Sequence, residues 1–342
     1  MPPLVSIVIT TWNSAATLEP CLDSVLAHDY QPLEVIIVDN ASMDATRNIL
    51  ERYRSRCTLI FNQSNGGFAA AQNQAIRHAR GDWVLSLNPD VVLGRGFLIA
   101  LVTAAEQQED VGTVCGKLLR WIPSPHEFSN IIDSTGVYFM RNLRHLDRGS
   151  GERDAGQYDS HEFVFGATGA AALYRRSMVD DISVFGEFFD EAFFAYREDA
   201  DVAWRAQLMG WHCLYVPEAV SWHVRRVTPE RRAILPLAIN WHSAKNRFLM
   251  RRKNISGWLY ATLFPHFVLR DLAVVGYALI RDWRLMSALL YPLRHRAETT
   301  RKRAWIQAHR RVSDRALLKW FGSQTGEPAS RIVQRVSQQA SV

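Results

Sequence analysis

The residues of this 342-residue chain that could do chemistry are mostly acidic and fall in a few places. Asp90 ends the triplet Asn88-Pro89-Asp90, directly after the apolar run Trp83–Leu87. A diphosphate leaving group carries charge that Mg²⁺ or Mn²⁺ can neutralise, and these hard ions take one or two carboxylates plus phosphate oxygens. A carboxylate held stiffly behind a proline at a strand end meets that need. Asp39-Asn40 ends a second apolar run in the same manner. Turn formation and helix capping explain either pair alone. Two acidic strand ends on one edge of one sheet argue for a nucleotide and metal site.

The densest acidic cluster is Glu198, Asp199 and Asp201, behind the stretch Phe193-Phe194-Ala195-Tyr196. Acids in the first turn of a helix complement its dipole, which is one reading of all three. An aromatic wall leading into carboxylates also suits a sugar acceptor and its general base, worth about 10²–10⁴ in rate. Asn65-Gly66-Gly67-Phe68 opens another helix, where adjacent glycines let backbone N–H groups approach a phosphate. It lacks the G-x-G-x-x-G spacing of a dinucleotide site and alone reads as an ordinary turn. His223, in Ser221-Trp222-His223, joins the set through its company only.

The elements that must position these groups are legible in the first ~95 residues. Val5–Ile9 and Val35–Val38 are near-continuous and β-branched, as strands covered on both faces are; Thr58–Phe61 and Trp83–Leu87 follow. Leu18, Cys21, Leu22, Val25 and Leu26 make a helical stripe between the first two, and Ser42–Arg54 and Gly67–Ala79 supply the next two helices. Four strands with three helical crossovers make a nucleotide-binding α/β half, with ligands expected beyond the carboxyl ends of the strands. The middle, about 95–195, is less regular, punctuated around Trp121–Pro125 and Gly149–Gly156, and a helix is then predicted from about Glu198 to Met209, stopped by Gly210. After about Ile255 the chain turns to Trp, Tyr, Phe and Leu interspersed with Arg.

Composition bounds the rest. With 48% hydrophobic and 22% charged residues the chain can bury a sizeable core. Its four cysteines are scattered, without metal-finger spacing, which suits a reducing compartment. Met-Pro-Pro runs straight into an apolar strand with no basic residue ahead of it, so no secretion signal is expected and the protein is placed in the cytoplasm. The net charge of +6 divides unevenly: residues 1–223 hold 17 Lys+Arg against 28 Asp+Glu, and residues 224–342 hold 23 against 6. The basic back is expected to face something anionic.

Taken in order, Val5-Ser6-Ile7-Val8-Ile9-Thr10-Thr11-Trp12-Asn13, Val38-Asp39-Asn40-Ala41-Ser42, Asn65-Gly66-Gly67-Phe68-Ala69 with Asn73, Leu87-Asn88-Pro89-Asp90, Phe188–Asp201 and Trp222-His223 resemble glycosyltransferase family 2. The likeness is to inverting enzymes of the GT-A fold, and among them to bacterial rhamnosyltransferase-like members that build cell-surface polysaccharide. It spans roughly residues 4–250. It implies a Rossmann-like α/β fold with a mostly parallel sheet and flanking helices: a catalytic domain over 1–250, with a nucleotide half (1–95) and an acceptor half (96–250), then a helical, membrane-associating region over 251–342. It also implies roles. Thr11 and Asp39 would hold the base and ribose of a nucleotide sugar, dTDP-rhamnose being the lead donor. Asn13, Asn40, Asn65, Gly67, Phe68, Asn73 and Asn88 would complete the donor side. Asp90, last residue of a variant D-x-D motif, would bind Mg²⁺ or Mn²⁺ with His223. Asp199 matches the catalytic base, with Tyr196, Glu198 and Asp201 on the acceptor side. Asn88 stands where many relatives have Asp, and no Q-x-x-R-W motif is present, which argues against a processive synthase.

Other readings fare less well. A sugar nucleotidyltransferase needs a basic Gly-rich loop near the first strand, which Thr10–Ser14 is not. A polyprenyl-phosphate sugar synthase takes a phosphate acceptor and needs no base, and an inactive scaffold needs a broken site. A nucleic-acid partner is not expected, because the front is acidic and carries no reading motif. For the tail, the expectation is peripheral docking on the anionic inner face of the plasma membrane, near a glycan or lipid-linked acceptor. The longest clean apolar run, Leu272–Ile280, is nine residues against ~20 for a span. Packing on the catalytic domain or on a second subunit, as in a homo-oligomer, is the alternative.

Overall fold

The computed structural model describes residues 1–123, 127–225 and 237–329. Pro125, in the punctuated stretch, and the tail end 330–342 lie outside the described residues. The first part alternates β1 (Val5–Thr11), α1 (Ala15–Leu26), β2 (Leu33–Asp39), α2 (Thr46–Glu51), β3 (Thr58–Phe61), α3 (Phe68–His78) and β4 (Trp83–Leu87). These strands lie in the order β3-β2-β1-β4, all parallel. Alternation along β1 feeds two cores. Val5, Ile7 and Ile9 pack with Leu18, Leu22 and Val25 of α1, and Val8 packs with Ala69, Ala75 and Ile76 of α3. Double coverage is why these strands read as unbroken apolar runs.

Beyond β4 the sheet becomes mixed. The chain continues through β5 (Val91–Leu93), α4 (Phe97–Ala105), β6 (Val111–Ile122), β7 (Glu127–Ser134), β8 (Val137–Phe139), β9 (His145–Asp147), β10 (Glu162–Val164), β11 (Ala171–Arg175), α5 (Arg176–Ile182), α6 (Glu198–Leu208) and β12 (His212–His223). β11 is inserted antiparallel between β4 and β6, while β12 runs parallel to β6. With β10, β12 and a last short β13 (Glu327–Pro328), the main sheet has eleven strands among the described residues. Parallel pairing thus dominates only the first half, where helical crossovers return each strand to the same direction.

The C-terminal region is helical: α7 (Leu237–Asn254), α8 (Gly257–Ile280), α9 (Met286–Arg294), α10 (Arg296–His309) and α11 (Asp314–Leu318). The expected boundary at residue 250 falls inside α7. The tail is also tied to the body, since Phe321 packs on Phe139 and Trp204, and β13 pairs with β10. α8 is one continuous helix of 24 residues where the sequence suggested an interrupted segment. Pro265 removes a single helix hydrogen bond, and Asp271 is neutralised by Arg247 and Arg251 of α7. By length and composition α8 is long and apolar enough to cross a membrane. Its Leu259, Leu263 and Phe267, spaced four apart, are nevertheless buried in the protein's own core.

Candidate active site

A cavity of about 770 Å³ opens where β4, β12, α6 and α7 meet. Asn88, Asp90 and His223 form one side, and Glu198 and Asp199 another; Phe68, Tyr196, Arg120, Arg144 and Arg225 also line it. The sheet register brings the first group together. β12 pairs antiparallel with β5 so that His223 lies opposite Val91, the residue after Asp90. The Asp90 carbonyl accepts from the Val224 N–H and from the Trp121 indole, which pins it. His223 Nε2 then stands 3.4 Å from Asp90 Oδ1, while its Nδ1 lies 2.7 Å from Asp133 Oδ2. Burial by itself would depress the imidazole pKa, but Asp90 and Asp133 outweigh it and push it up to about 10. Asp133 itself is held below its ordinary value: burial opposes this, but His223, Arg225 and Arg120 prevail.

Asp133 fixes the ring by one nitrogen and leaves the other facing a carboxylate, the setting in which outer-shell carboxylates orient metal-binding histidines; a divalent ion here would have to replace the proton that Asp90 and Asp133 favour on the ring. Among the described residues no group of three or more His, Cys, Asp or Glu is placed to hold a metal ion together. An ion between Asp90 and His223 would meet one carboxylate and one imidazole, with most positions left for phosphate oxygens and water.

On the other side, α6 is buried almost all round, and Asp199 is its only residue left partly exposed, in the cavity wall. Asp199 Oδ2 accepts from Gly169 N–H at 2.9 Å and Oδ1 from Ala200 N–H at 2.7 Å. A Cβ at position 169 would lie 3.3 Å from the Asp199 side chain, so Gly169 also lets the carboxylate come close. Burial raises the pKa of Asp199, and the two N–H groups work against that rise. Glu198 receives less help: its Oε2 is buried with no hydrogen-bond partner among the described residues. Burial first, then Asp199, pushes Glu198 up to about 8. The pair is thus differentiated, Glu198 keeping its proton and Asp199 the better carboxylate.

The segment leading into α6 is strained. Ala195 N–H donates to Phe193 O in a γ-turn with Phe194 at φ 66°, ψ −66°, and Tyr196 and Arg197 also have positive φ. Such conformations cost about 1–3 kcal/mol each and persist where the surroundings impose them.

Other sequence-predicted residues stand elsewhere. Thr11, Asp39 and Asn40 sit at the ends of β1 and β2 in a buried network. Asp39 is fully covered, accepting from Thr11 Oγ1, Ser42 N–H and Arg47 Nε. Asn13 is a loop staple to Ser42 and Met43. Of the two glycines before α3, Gly67 is used for packing. Phe194 O already takes the Ala69 N–H, and a Cβ on Gly67 would lie 2.6 Å from the Phe194 ring. Asn40 and Asn65 tie that turn together. Asn73 is turned inward to Phe189 and Glu191. Asp201 does not line the cavity; it is fully buried against Arg205, Lys253 and Asn254. A helix-start acid with a basic residue four places on, Arg205, was the sign of this role. Asp133, Gly169 and Arg47 carried no such sign, because their partners are distant in sequence.

The model of the family described as Glycosyl transferase family 2 matches residues 6–183, more than half of the chain. The chain belongs to this family. As a family 2 member it is a glycosyltransferase, and its sheet with flanking helices is the GT-A fold. It is 28% identical over 304 residues to N-acetylglucosaminyl-diphospho-decaprenol L-rhamnosyltransferase of Mycobacterium tuberculosis, covering 82% of this chain and 94% of that one. It is 26% identical over 220 residues to poly-β-1,6-N-acetyl-D-glucosamine synthase of Staphylococcus aureus, covering 64% of this chain and 49% of the relative, about half its length. Among solved structures, GalNAc-T7 with UDP, GalNAc and Mn²⁺ superposes with TM-score 0.58 at 12% identity, over 73% of this chain and 48% of that one.

Proposed function

We propose that this glycosyltransferase inverts the sugar it transfers, from a nucleotide-diphosphate donor with dTDP-rhamnose in the lead, to a hydroxyl of a glycan or lipid-linked acceptor in cell-surface polysaccharide synthesis. The observation that carries this reading is the meeting of Asp90, His223 and Asp199 on one cavity. The rhamnosyltransferase relative, aligned over most of both chains, supports rhamnose as the sugar and a diphospholipid acceptor.

Asp90 and His223 would hold Mg²⁺ or Mn²⁺, and GalNAc-T7 with Mn²⁺ supports a divalent ion. When bound, the ion supplies positive charge against the leaving diphosphate. Asp199, steered by the Gly169 and Ala200 N–H groups, takes the proton from the acceptor hydroxyl as that oxygen attacks the anomeric carbon. Glu198, protonated beside it, adds no second charge. Phe68 and Tyr196 give the sugar apolar surface. If Asp39 reads the nucleotide, Arg47 must first move off it. A base held this firmly favours a hydroxyl acceptor over an already anionic phosphate. The exposed side of α8 and the basic tail support docking on the anionic cytoplasmic face of the membrane, where such an acceptor lies.

A panel of nucleotide sugars, offered with an N-acetylglucosaminyl-diphospholipid, tests the reading by release of nucleoside diphosphate. EDTA should abolish turnover and Mg²⁺ or Mn²⁺ restore it. In calorimetry dTDP should bind more tightly with metal, and Asp90→Ala should erase that difference. Binding indifferent to metal and to Asp90→Ala sinks the metal assignment.

A further inference from the structure

We infer that Asn246, on α7 of the C-terminal region, is a positioning residue that holds the strained segment before α6 and so aims Asp199; the inference rests on Asp199 being the base. Asn246 is fully buried. Its Nδ2 group lies 3.0 Å from Phe193 O, 2.8 Å from Ala195 O and 2.6 Å from Tyr196 O. Its Oδ1 is buried with no hydrogen-bond partner among the described residues. The side chain is therefore used as a donor, and three carbonyls are the reason an amide stands there.

Those carbonyls belong to the segment least able to hold itself. With positive φ at Phe194, Tyr196 and Arg197, the carbonyls of Phe193, Ala195 and Tyr196 gather at one point while that of Phe194 goes to Ala69 N–H, and carbonyl dipoles so gathered repel unless a donor sits among them. Neighbouring α7 residues complete the grip. Lys245 Nζ donates to Ala192 O, the His242 ring stacks on Phe194 with centroids 4.7 Å apart, and Ser243 O accepts from Arg197 Nε at 3.2 Å. Every residue from Ala192 to Arg197 thus has a backbone or side-chain contact to α7, and the next two are Glu198 and Asp199. Without the clamp the segment can relax to ordinary dihedrals, and the first turn of α6 moves with it.

Asn246→Ala, in the full-length protein, should lower turnover of dTDP-rhamnose with an N-acetylglucosaminyl-diphospholipid by about 10²-fold, the cost of a misaimed catalytic group. Metal-dependent dTDP affinity should change little, while the melting temperature should fall, because buried carbonyls lose their donor. In an Asp199→Asn background the same substitution should add no more than about twofold, since residues acting as one unit are non-additive. Asn246→Ser, which keeps one short donor, should lose less and stands in if the alanine variant does not fold. Normal turnover of either folded variant overturns the inference. So does an equal loss in both backgrounds, or a loss matched by weaker dTDP binding. Full activity of Asp199→Asn alone is a different failure: it removes the base assignment before any Asn246 variant is read.

Discussion

Two adjacent carboxylates share one low-dielectric pocket, and what separates them is a pair of backbone N–H groups. Both point at Asp199 and none at Glu198 Oε2. Hydrogen bonds to a charged form favour it, so the proton resides on Glu198. Asp199→Asn should therefore lower turnover by about 10²-fold or more with dTDP affinity nearly unchanged. Equal loss of both, or normal turnover, would return Asp199 to a helix-start role. Glu198 leaves a different mark, on stability. Its pKa is raised from the usual 4.5 to about 8 in the folded protein, so the folded state binds more protons across that interval. Stability must then fall as pH rises from about 4.5 to 8, by up to ~1.4 kcal/mol per pH unit for one proton. Glu198→Gln should flatten this part of the curve in urea titrations run from pH 5 to 9. An unchanged slope would mean that Glu198 is already ionised in the folded protein.

At the scale of elements, the first four strands and the helix carrying Asp199 were legible because burial on both faces, or a run of helix-start acids, is written locally. The partnerships that make the site were not. His223 and Asp133 are 90 residues apart, and Asn246 stands about 50 from the carbonyls it holds. No periodicity records such pairings. Gly66-Gly67 shows how a local motif carries more than one reading: adjacent glycines can let N–H groups approach a phosphate, and here Gly67 at φ 92°, ψ 164° also makes room for Phe194 against the start of α3. That backbone region is essentially confined to glycine. Gly67→Ala should cost about 1–3 kcal/mol from the backbone alone, with the clash against Phe194 added. Because Phe194 begins the strained approach to Asp199, turnover should fall alongside stability. A variant as stable as the parent in urea would show that the turn relaxes freely.

In the whole molecule, an acidic catalytic front is joined to a basic back through buried charge. Lys253 bridges Asp190 and Asp201, and Lys302 pairs with Asp190 and Glu187. Burial opposes ionisation of Asp190, but the two ammonium groups prevail and hold its carboxyl well below the usual range. Deleting the tail near residue 250 would strip these partners from buried carboxylates, a loss of several kcal/mol. Membrane docking is therefore better tested on the outer surface. Of the nineteen large apolar residues exposed among the described residues, eleven fall between Trp258 and Leu293. Arg281, Arg284, Arg294 and Arg296 are exposed among them. A helix whose first turns are buried in its own protein on one face and bare on the other suits an in-plane position better than a span. Basic residues at an anionic leaflet contribute about 1 kcal/mol each. Full-length protein should float with phosphatidylglycerol vesicles and less so in high salt. Replacing Trp258, Phe264, Leu272 and Ile280 by serine should leave it in solution, with dTDP affinity unchanged. If the parent protein stays in solution as a dimer, and the serine variant is a monomer, the face joins two copies and lipid has no part in it.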